Sequence, residues 1–188
     1  MRVIAGKAKG RKLRFPKLPK GKRLRPLTGR VKEALFNILA AKIDGARFLD
    51  LFAGTGSVGI EALSRGAELA IFVEQDRKIA ETLRENIEMT GFADRTEVYC
   101  LDVLKALKVI DNGGGRFEII FIGAPYGSSL LNETLVKLSE TKIVDENSVV
   151  IAEHSGKIEL SGAYGKLCKY RDSEYGDTVL SFYRGTCD

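Results

Sequence analysis

The sequence predicts an α/β fold built on a mostly parallel sheet, and three observations lead to this prediction. Short apolar segments alternate with amphipathic ones from residue 47 onward, a glycine-rich turn follows the first apolar segment, and the C-terminal part contains two β-patterned segments without a helix between them. Alternating strands and helices are typical of parallel strands with right-handed crossovers and ligands at the carboxyl ends of the strands. We therefore expect a parallel core that ends in an antiparallel hairpin.

Local patterns place the individual elements. The clearest helix begins after Asp76, a good N-cap, presents Ile79, Leu83 and Ile87 on one face, and ends at Gly91. The same reasoning predicts strands at 48–52, 69–74, 97–100, 118–122 and 148–152, helices near 58–64, 77–90, 103–110 and 130–141, and a hairpin formed by 166–171 and 178–183.

The positive charge of the chain is concentrated at its N-terminus. The 188 residues carry a net charge of +5, yet residues 1–32 contain 13 basic and no acidic side chains, and the remainder contains 17 basic and 25 acidic ones. A basic arm on an acidic body favours contact with a polyanion, and the alternative is a solvated tail. Interleaved apolar residues such as Val3, Leu13 and Phe15 indicate that part of the arm is ordered as a hairpin. The residues predicted to contact the nucleic acid are Arg2, Lys7, Arg11, Lys12, Arg14, Arg25 and Arg30.

A helix follows the arm and leads into the main body. Thr28 is a suitable N-cap, and Val31, Leu35, Ile38 and Leu39 recur at helical spacing. We expect this helix to pack on the body. The chain is thus divided into a basic arm with its packed helix over 1–45 and a main domain over 46–188.

Composition also limits the cellular context. No apolar run approaches the ~18 residues that a membrane span needs. Basic residues begin at Lys7, before an apolar segment of a signal peptide could form. We therefore expect a cytoplasmic protein without a membrane partner. Cys100, Cys168 and Cys187 form no C-x-x-C pair, and the sequence contains a single histidine. We expect reduced thiols and no metal site.

The turn after the first strand predicts a nucleotide-containing ligand. Gly54, Gly56 and Gly59 match G-x-G-x-x-G, and Glu74 lies 20 residues after the first glycine, where an acid that binds ribose hydroxyls is expected. Alone, this pattern would favour a dinucleotide. Asp50 at the mouth of the turn would repel a pyrophosphate but attract an ammonium or sulfonium group, and S-adenosylmethionine (SAM) carries both.

SAM is therefore the predicted cofactor. Its adenine needs a residue from the third strand, which Asp102 can supply. The alternatives are that the glycines form a tight turn common in α/β folds, that Asp102 merely caps a helix and that Glu74 is a solvated strand end. The predicted cofactor-binding residues are Asp50, Phe52, Gly54, Gly56, Glu74 and Asp102.

Several segments together resemble one family, the bacterial methyltransferases that modify a guanine N2 of 16S rRNA. They are RVIAG at 2–6, GRKL at 10–13, RPLTGRVKEALFN at 25–37, DLFAGTG at 50–56 and YGDT at 175–178, together with Glu74 and Asp102. The resemblance implies a Rossmann-like, seven-stranded SAM-dependent methyltransferase fold. It also implies a 16S rRNA substrate, within the small ribosomal subunit or its assembly intermediate, with 1–45 as the RNA-binding arm and packed helix and 46–188 as the SAM-dependent methyltransferase domain. No obligate protein partner is inferred.

One segment departs from the family pattern. Where the family has an acid or amide followed by Pro-Pro and an aromatic residue, this chain has Gly123, Ala124, Pro125 and Tyr126. These four are the predicted catalytic positions. Guanine's amine is a poor nucleophile that needs an acceptor to orient it, and Gly123 has no side chain to provide one. Tyr126 can still stack on a flipped base, and the Ala124 carbonyl can accept a hydrogen bond.

This departure leaves three hypotheses open. The first is an active guanine-N2 methyltransferase, the second a homologue that binds SAM and RNA with weak or lost catalysis, and the third an adenine-N6 methyltransferase. If the acceptor is missing, Gly123→Asp with Ala124→Pro should raise turnover. If the chain is already active, Glu33, Glu153 or the Ala124 carbonyl would hold the amine. His154 also lies at a predicted strand end, although a lone histidine is more often a packing or surface residue.

Overall fold

A single sheet of eight strands organises the computed structural model, which describes residues 1–18 and 24–185. The strands are β1 Arg47–Asp50, β2 Leu69–Val73, β3 Thr96–Tyr99, β4 Ile119–Ile122, β5 Val149–Ser155, β6 Ala163–Tyr164, β7 Leu167–Tyr175 and β8 Thr178–Arg184. The helices are α1 Gly29–Ile38, α2 Ser57–Ser64, α3 Arg77–Thr90, α4 Val103–Asn112 and α5 Leu130–Ser139, with a 3-10 turn at Ala93–Arg95.

The strand order is β3-β2-β1-β4-β5-β8-β7-β6. The first five strands in this order pair in parallel, and β8 pairs antiparallel with both β5 and β7. The predicted parallel sheet with a terminal hairpin is therefore confirmed. The sheet has one strand more than the seven expected, because the two-residue β6 pairs with β7 through Ala163 and Tyr164.

Apolar layers cover both faces of the sheet. Alternate residues of β1 enter different clusters: Phe48 packs toward α1, α2 and α3, whereas Leu49 packs toward α4 and α5. The helix α2 lies so close to β2 that a Cβ at Gly59 would be 2.3 Å from the Phe72 ring. This close approach positions the N-terminus of α2, and the turn before it, at the carboxyl end of β1.

The predicted helix caps are present. Oδ1 of Asp76 accepts the Ile79 amide at 2.9 Å, and Gly91 ends α3 with a φ of +77°. Oγ1 of Thr28 accepts the Val31 amide at 3.4 Å at the start of α1. Helix α1 packs on the body as expected.

The N-terminal arm forms a hairpin-like turn on the body. The Val3 amide donates to the Arg11 carbonyl at 3.0 Å, and the Gly10 amide donates to the Val3 carbonyl at 2.9 Å. Val3, Ala8 and Leu13 are buried in the same cluster as α1 and α2. The prediction of an ordered segment within the arm is thus confirmed.

Candidate active site

A cavity of about 470 Å³ lies at the carboxyl ends of β1 to β5. Side chains that follow five different strands meet there because parallel strands end at the same edge of the sheet. The arm covers part of the cavity through Phe15, Leu24, Arg25, Pro26 and Leu27. Predicted site residues that line it are Asp50, Phe52, Gly54, Glu74, Asp102, Gly123 and Pro125.

The glycine-rich turn bends tightly around the mouth of this cavity. Gly54 has a φ of +53° and Gly56 a φ of +82°, a region that residues with a Cβ rarely adopt. A Cβ at Gly56 would also lie 2.4 Å from Cδ1 of Leu83. Gly56 itself does not line the cavity, so its contribution is to allow the turn that brings Gly54 there.

Asp50 is the most unusual group at the site. It is 1% exposed, and its Oδ2 accepts the Gly59 amide at 3.2 Å, while Oδ1 has no hydrogen-bond partner among the described residues. Burial raises the pKa of Asp50 to about 7. A buried acceptor without a partner at a cavity wall is costly unless a ligand satisfies it.

The two other predicted acids contact backbone amides at the cavity wall. Glu74 is half-buried, with Oε2 accepting the Gly54 amide at 3.1 Å and Oε1 accepting the Asp76 amide at 2.8 Å. Glu74 is thus held toward the glycine turn rather than solvated. Asp102 caps α4 by accepting the Leu104 amide at 3.0 Å, and it also lines the cavity. Oδ1 of Asp102 also accepts the Lys105 amide at 3.3 Å.

The segment after β4 places its four residues differently. Gly123 and Pro125 line the cavity, whereas Ala124 is buried at 5% exposure. The half-buried Tyr126 donates its hydroxyl hydrogen bond to Oε1 of Glu153 at 3.1 Å, and its oxygen lies 3.5 Å from Oγ1 of Thr178. Burial raises the pKa of Tyr126.

Glu153 is the acid that the sequence analysis placed only among possible substitutes. It lies on β5, is 7% exposed and lines the cavity. A Cβ at Gly123 would be 3.4 Å from Oε2 of Glu153. Burial raises the pKa of Glu153, and the Tyr126 hydroxyl and the Arg25 guanidinium oppose this rise.

The alternation of side chains between the two faces of a β-strand could have identified Glu153 from the sequence. Adjacent strand residues point to opposite faces of the sheet, so Glu153 and His154 cannot both face the cavity. His154 points away from it, with Nε2 at 2.8 Å from Oγ of Ser181. Glu33 is exposed on α1 and does not line the cavity.

Arg25 joins the basic arm to this site. Its guanidinium lies 4.2 Å from the centre of the Tyr126 ring, within cation–π range. The basic side chains that were predicted to contact RNA, on the arm and at the start of α1, are all exposed. They are Arg2, Lys7, Arg11, Lys12, Arg14, Arg25 and Arg30. Two have local partners: Arg2 donates to the Gly10 carbonyl at 2.9 Å, and Arg14 pairs with Glu85 at 2.9 Å.

The described cysteines are in two different states. Cys100 is a free thiol, but Cys168 is disulfide-bonded, so the expectation of reduced thiols is wrong at Cys168; Cys187 lies outside the described residues. Within 1–18 and 24–185, His, Cys, Asp and Glu form no cluster that could hold a metal ion. No helix in the same ranges is long and apolar enough to cross a membrane.

Comparison with known proteins decides the family. A family model described as conserved hypothetical protein 95 matches residues 1–184. Ribosomal RNA small subunit methyltransferase D of Escherichia coli (strain K12) is 32% identical over 184 residues, covering 98% of this chain and 89% of that protein. The chain belongs to this methyltransferase family. The resemblance inferred from the sequence motifs is confirmed.

Two further matches add a relative over the full length and a solved structure with the same fold. YlbH of Bacillus subtilis (strain 168) is 39% identical over 184 residues, 98% of each chain. An RNA methyltransferase from Salinibacter ruber, solved in complex with S-adenosyl-L-homocysteine, superposes with a TM-score of 0.66 at 17% identity, covering 87% of this chain and 95% of that one. The second match shows a shared methyltransferase fold.

Proposed function

We propose that this chain transfers a methyl group from SAM to the exocyclic N2 of a guanine in 16S rRNA, in the small ribosomal subunit or its assembly intermediate, in the cytoplasm. The observation that carries the proposal is the buried Asp50 carboxylate at the wall of a cavity beside the glycine turn, whose Oδ1 has no hydrogen-bond partner within 1–18 and 24–185. Membership in the small subunit methyltransferase D family supports the rRNA substrate.

The residues of the cavity fit SAM. Asp50 offers an anionic acceptor for the ammonium group, Glu74 for the ribose hydroxyls and Asp102 for the adenine, while Phe52 supplies an apolar wall and Gly54 allows close backbone approach. Bound SAM supplies an electrophilic methyl group on a sulfonium. A pyrophosphate would face the Asp50 and Glu74 carboxylates, which disfavours a dinucleotide.

The arm is proposed to bind the RNA, giving residues 1–45 a substrate-binding role and residues 46–188 the methyl transfer. Its exposed cations can neutralise phosphates, and Arg25, which lines the cavity, links them to Tyr126. A flipped guanine can stack on the Tyr126 ring next to Pro125, and the Ala124 carbonyl remains a candidate acceptor for the amine. Holding the nitrogen in line with the methyl group would provide much of the acceleration.

Methyl transfer to unmodified small subunits tests the reaction itself. We expect radioactive methyl incorporation and recovery of N2-methylguanosine by mass spectrometry of the nucleosides. N6-methyladenosine would support the third hypothesis instead. Binding of SAM and subunits without transfer would support the homologue that has lost catalysis.

Calorimetry with SAM tests the cofactor site independently of turnover. Glu74→Ala should weaken SAM binding by roughly 1–3 kcal/mol, because charge-assisted hydrogen bonds to the ribose are lost. Glu81→Gln, an exposed acid on α3, is the control and should leave binding unchanged. Tight NAD binding with no SAM binding would contradict the proposal.

A further inference from the structure

Gly123 leaves the proposed reaction without a side-chain acceptor from the segment after β4, where only the Ala124 carbonyl remains as a candidate. As the guanine nitrogen attacks, it becomes cationic, so an anionic acceptor beside it stabilises the transition state more than the ground state. Such an acceptor must reach the volume next to residue 123. The neighbouring strand β5 pairs with β4 through Ile122 and Ala152, and the next residue on β5 is Glu153.

The Glu153 carboxylate occupies this volume. Its Oε2 would lie 3.4 Å from a Cβ at Gly123, which is van der Waals contact. An aspartate at residue 123 would therefore place a second carboxylate directly against the first. The same Cβ would lie 3.0 Å from Cε1 of Phe121, so the Phe121 ring must shift by a few tenths of an ångström to admit any side chain at residue 123.

The two oxygens of Glu153 have different environments. Oε1 accepts the Tyr126 hydroxyl at 3.1 Å, whereas Oε2 has no hydrogen-bond partner among the described residues. Tyr126 thus fixes the orientation of the carboxylate and leaves Oε2 available on the cavity side. A base bound in the cavity beside Gly123 would bring its exocyclic amine near this oxygen.

We infer that Glu153 is a catalytic residue, the acceptor that holds the exocyclic amine of the target guanine in place of the missing side chain at residue 123. This inference rests on the proposed function. The guanine nitrogen forms a bond to the methyl carbon, and the carbon–sulfur bond breaks with its electron pair remaining on sulfur. The surplus proton of the nitrogen passes to the Glu153 carboxylate, which releases it to water.

Burial supports the role of Glu153 as a proton acceptor. It raises the pKa of this carboxyl and so makes the carboxylate a stronger base than an exposed glutamate. The charged or titratable groups around it are Tyr126 from the β4 segment, Arg25 from the arm and Asp50 from β1. Activity should therefore fall as acid protonates Glu153.

A cycle of three variants tests the inference under single-turnover conditions, with unmodified small subunits as substrate. Glu153→Gln should lower the methylation rate constant on the order of 10²-fold while SAM and RNA dissociation constants change less than about threefold. Gly123→Asp should raise the rate at least about tenfold in the Glu153→Gln background, because it restores an acceptor. In the unaltered protein it should give no gain, since the acceptor is already present.

The controls separate this inference from a structural role and from the proposed function. Glu159→Gln removes an exposed charge just beyond β5 and should leave the rate unchanged. At SAM concentrations that saturate each variant, so that protonation of Asp50 does not limit SAM binding, the fall in rate at acidic pH should disappear in Glu153→Gln. A wild-type rate in Glu153→Gln, or an equal gain from Gly123→Asp in both backgrounds, would overturn the role of Glu153. No N2-methylguanosine from the unaltered protein would overturn the proposed function itself.

Discussion

Asp50 shows how a single residue can favour ligand binding at a cost in stability. Its carboxylate is buried, one of its oxygens has no hydrogen-bond partner in the described part of the chain, and burial raises its pKa from the ordinary range of an aspartate to about 7. The folded state therefore binds a proton more tightly than the unfolded state. The favourable contribution of protonated Asp50 to the free energy of folding is fully present below about pH 4. It is lost as the pH rises through 7 and Asp50 becomes a buried charge.

Asp50→Asn should reveal this cost. At pH 8 the ligand-free variant should be more stable than the unaltered protein by roughly 2–4 kcal/mol, because a buried charge is removed. At pH 4 the difference should vanish, and SAM binding should weaken at pH 8. Urea unfolding at both pH values measures this, with the exposed Asp94→Asn as control. Equal stabilities at pH 8 would contradict the cost assigned to Asp50.

The arm is the element that combines an apolar underside with a cationic surface. Val3, Ala8 and Leu13 anchor it, so its basic side chains are presented from an ordered backbone rather than from a free tail. Asn86 of α3 continues the attachment, accepting the Arg14 amide at 2.7 Å and donating to the Thr55 carbonyl at 3.0 Å. The arm and the glycine turn are therefore tied to the same side chain.

Replacing Arg11, Lys12 and Arg14 with Gln should lower the affinity for 16S rRNA and flatten its dependence on salt. Each lost phosphate contact should reduce the log–log slope by roughly 0.7 to 0.9. SAM binding should stay nearly intact because the apolar anchors remain. Filter binding across salt concentrations measures the slope.

Three exposed lysines outside the arm provide a matched control for this change in charge. Replacing Lys108, Lys142 and Lys157 with Gln removes the same number of charges and should leave the slope nearly unchanged. An equal loss of slope in both triple variants would indicate a general charge effect and contradict a specific arm contact.

At the scale of the whole molecule, one buried acid joins the arm to two helices. The Glu61 carboxylate on α2 accepts the Ile4 and Ala5 amides at 2.8 and 2.9 Å, and pairs with Lys32 of α1 at 3.2 Å and Arg65 at 2.9 Å. The Glu61 and Lys32 side chains are fully buried, and burial lowers the pKa of Lys32. The arm is in this way part of the folded body.

Glu61→Gln should destabilise the protein by about 3–5 kcal/mol, because it leaves the Lys32 ammonium buried without its counter-charge. Adding Lys32→Met should recover part of this loss, since no buried charge then remains. Thermal and urea unfolding measure the effect, and the exposed Glu88→Gln serves as control. A loss below 1 kcal/mol would contradict this account.

Local chemistry made much of the fold predictable. The caps at Thr28 and Asp76 depend on neighbours within three residues, and so they are visible in sequence. Strand bounds were less predictable: β1 ends at Asp50 rather than Phe52, because Leu51 and Phe52 already belong to the turn. The two-residue β6 was missed because so short a segment has no periodicity.

The sequence by itself determined the alternation of elements, the glycine turn, the acids at strand ends and the basic arm, because each depends on residue types at short spacing. Only the tertiary structure decided which acids face the cavity. Glu153 and Gly123 are 30 positions apart and meet because β4 and β5 are paired. The orientation of Glu153 also needs Tyr126, which no local pattern links to it. The proposed catalytic contact therefore depends on long-range strand pairing.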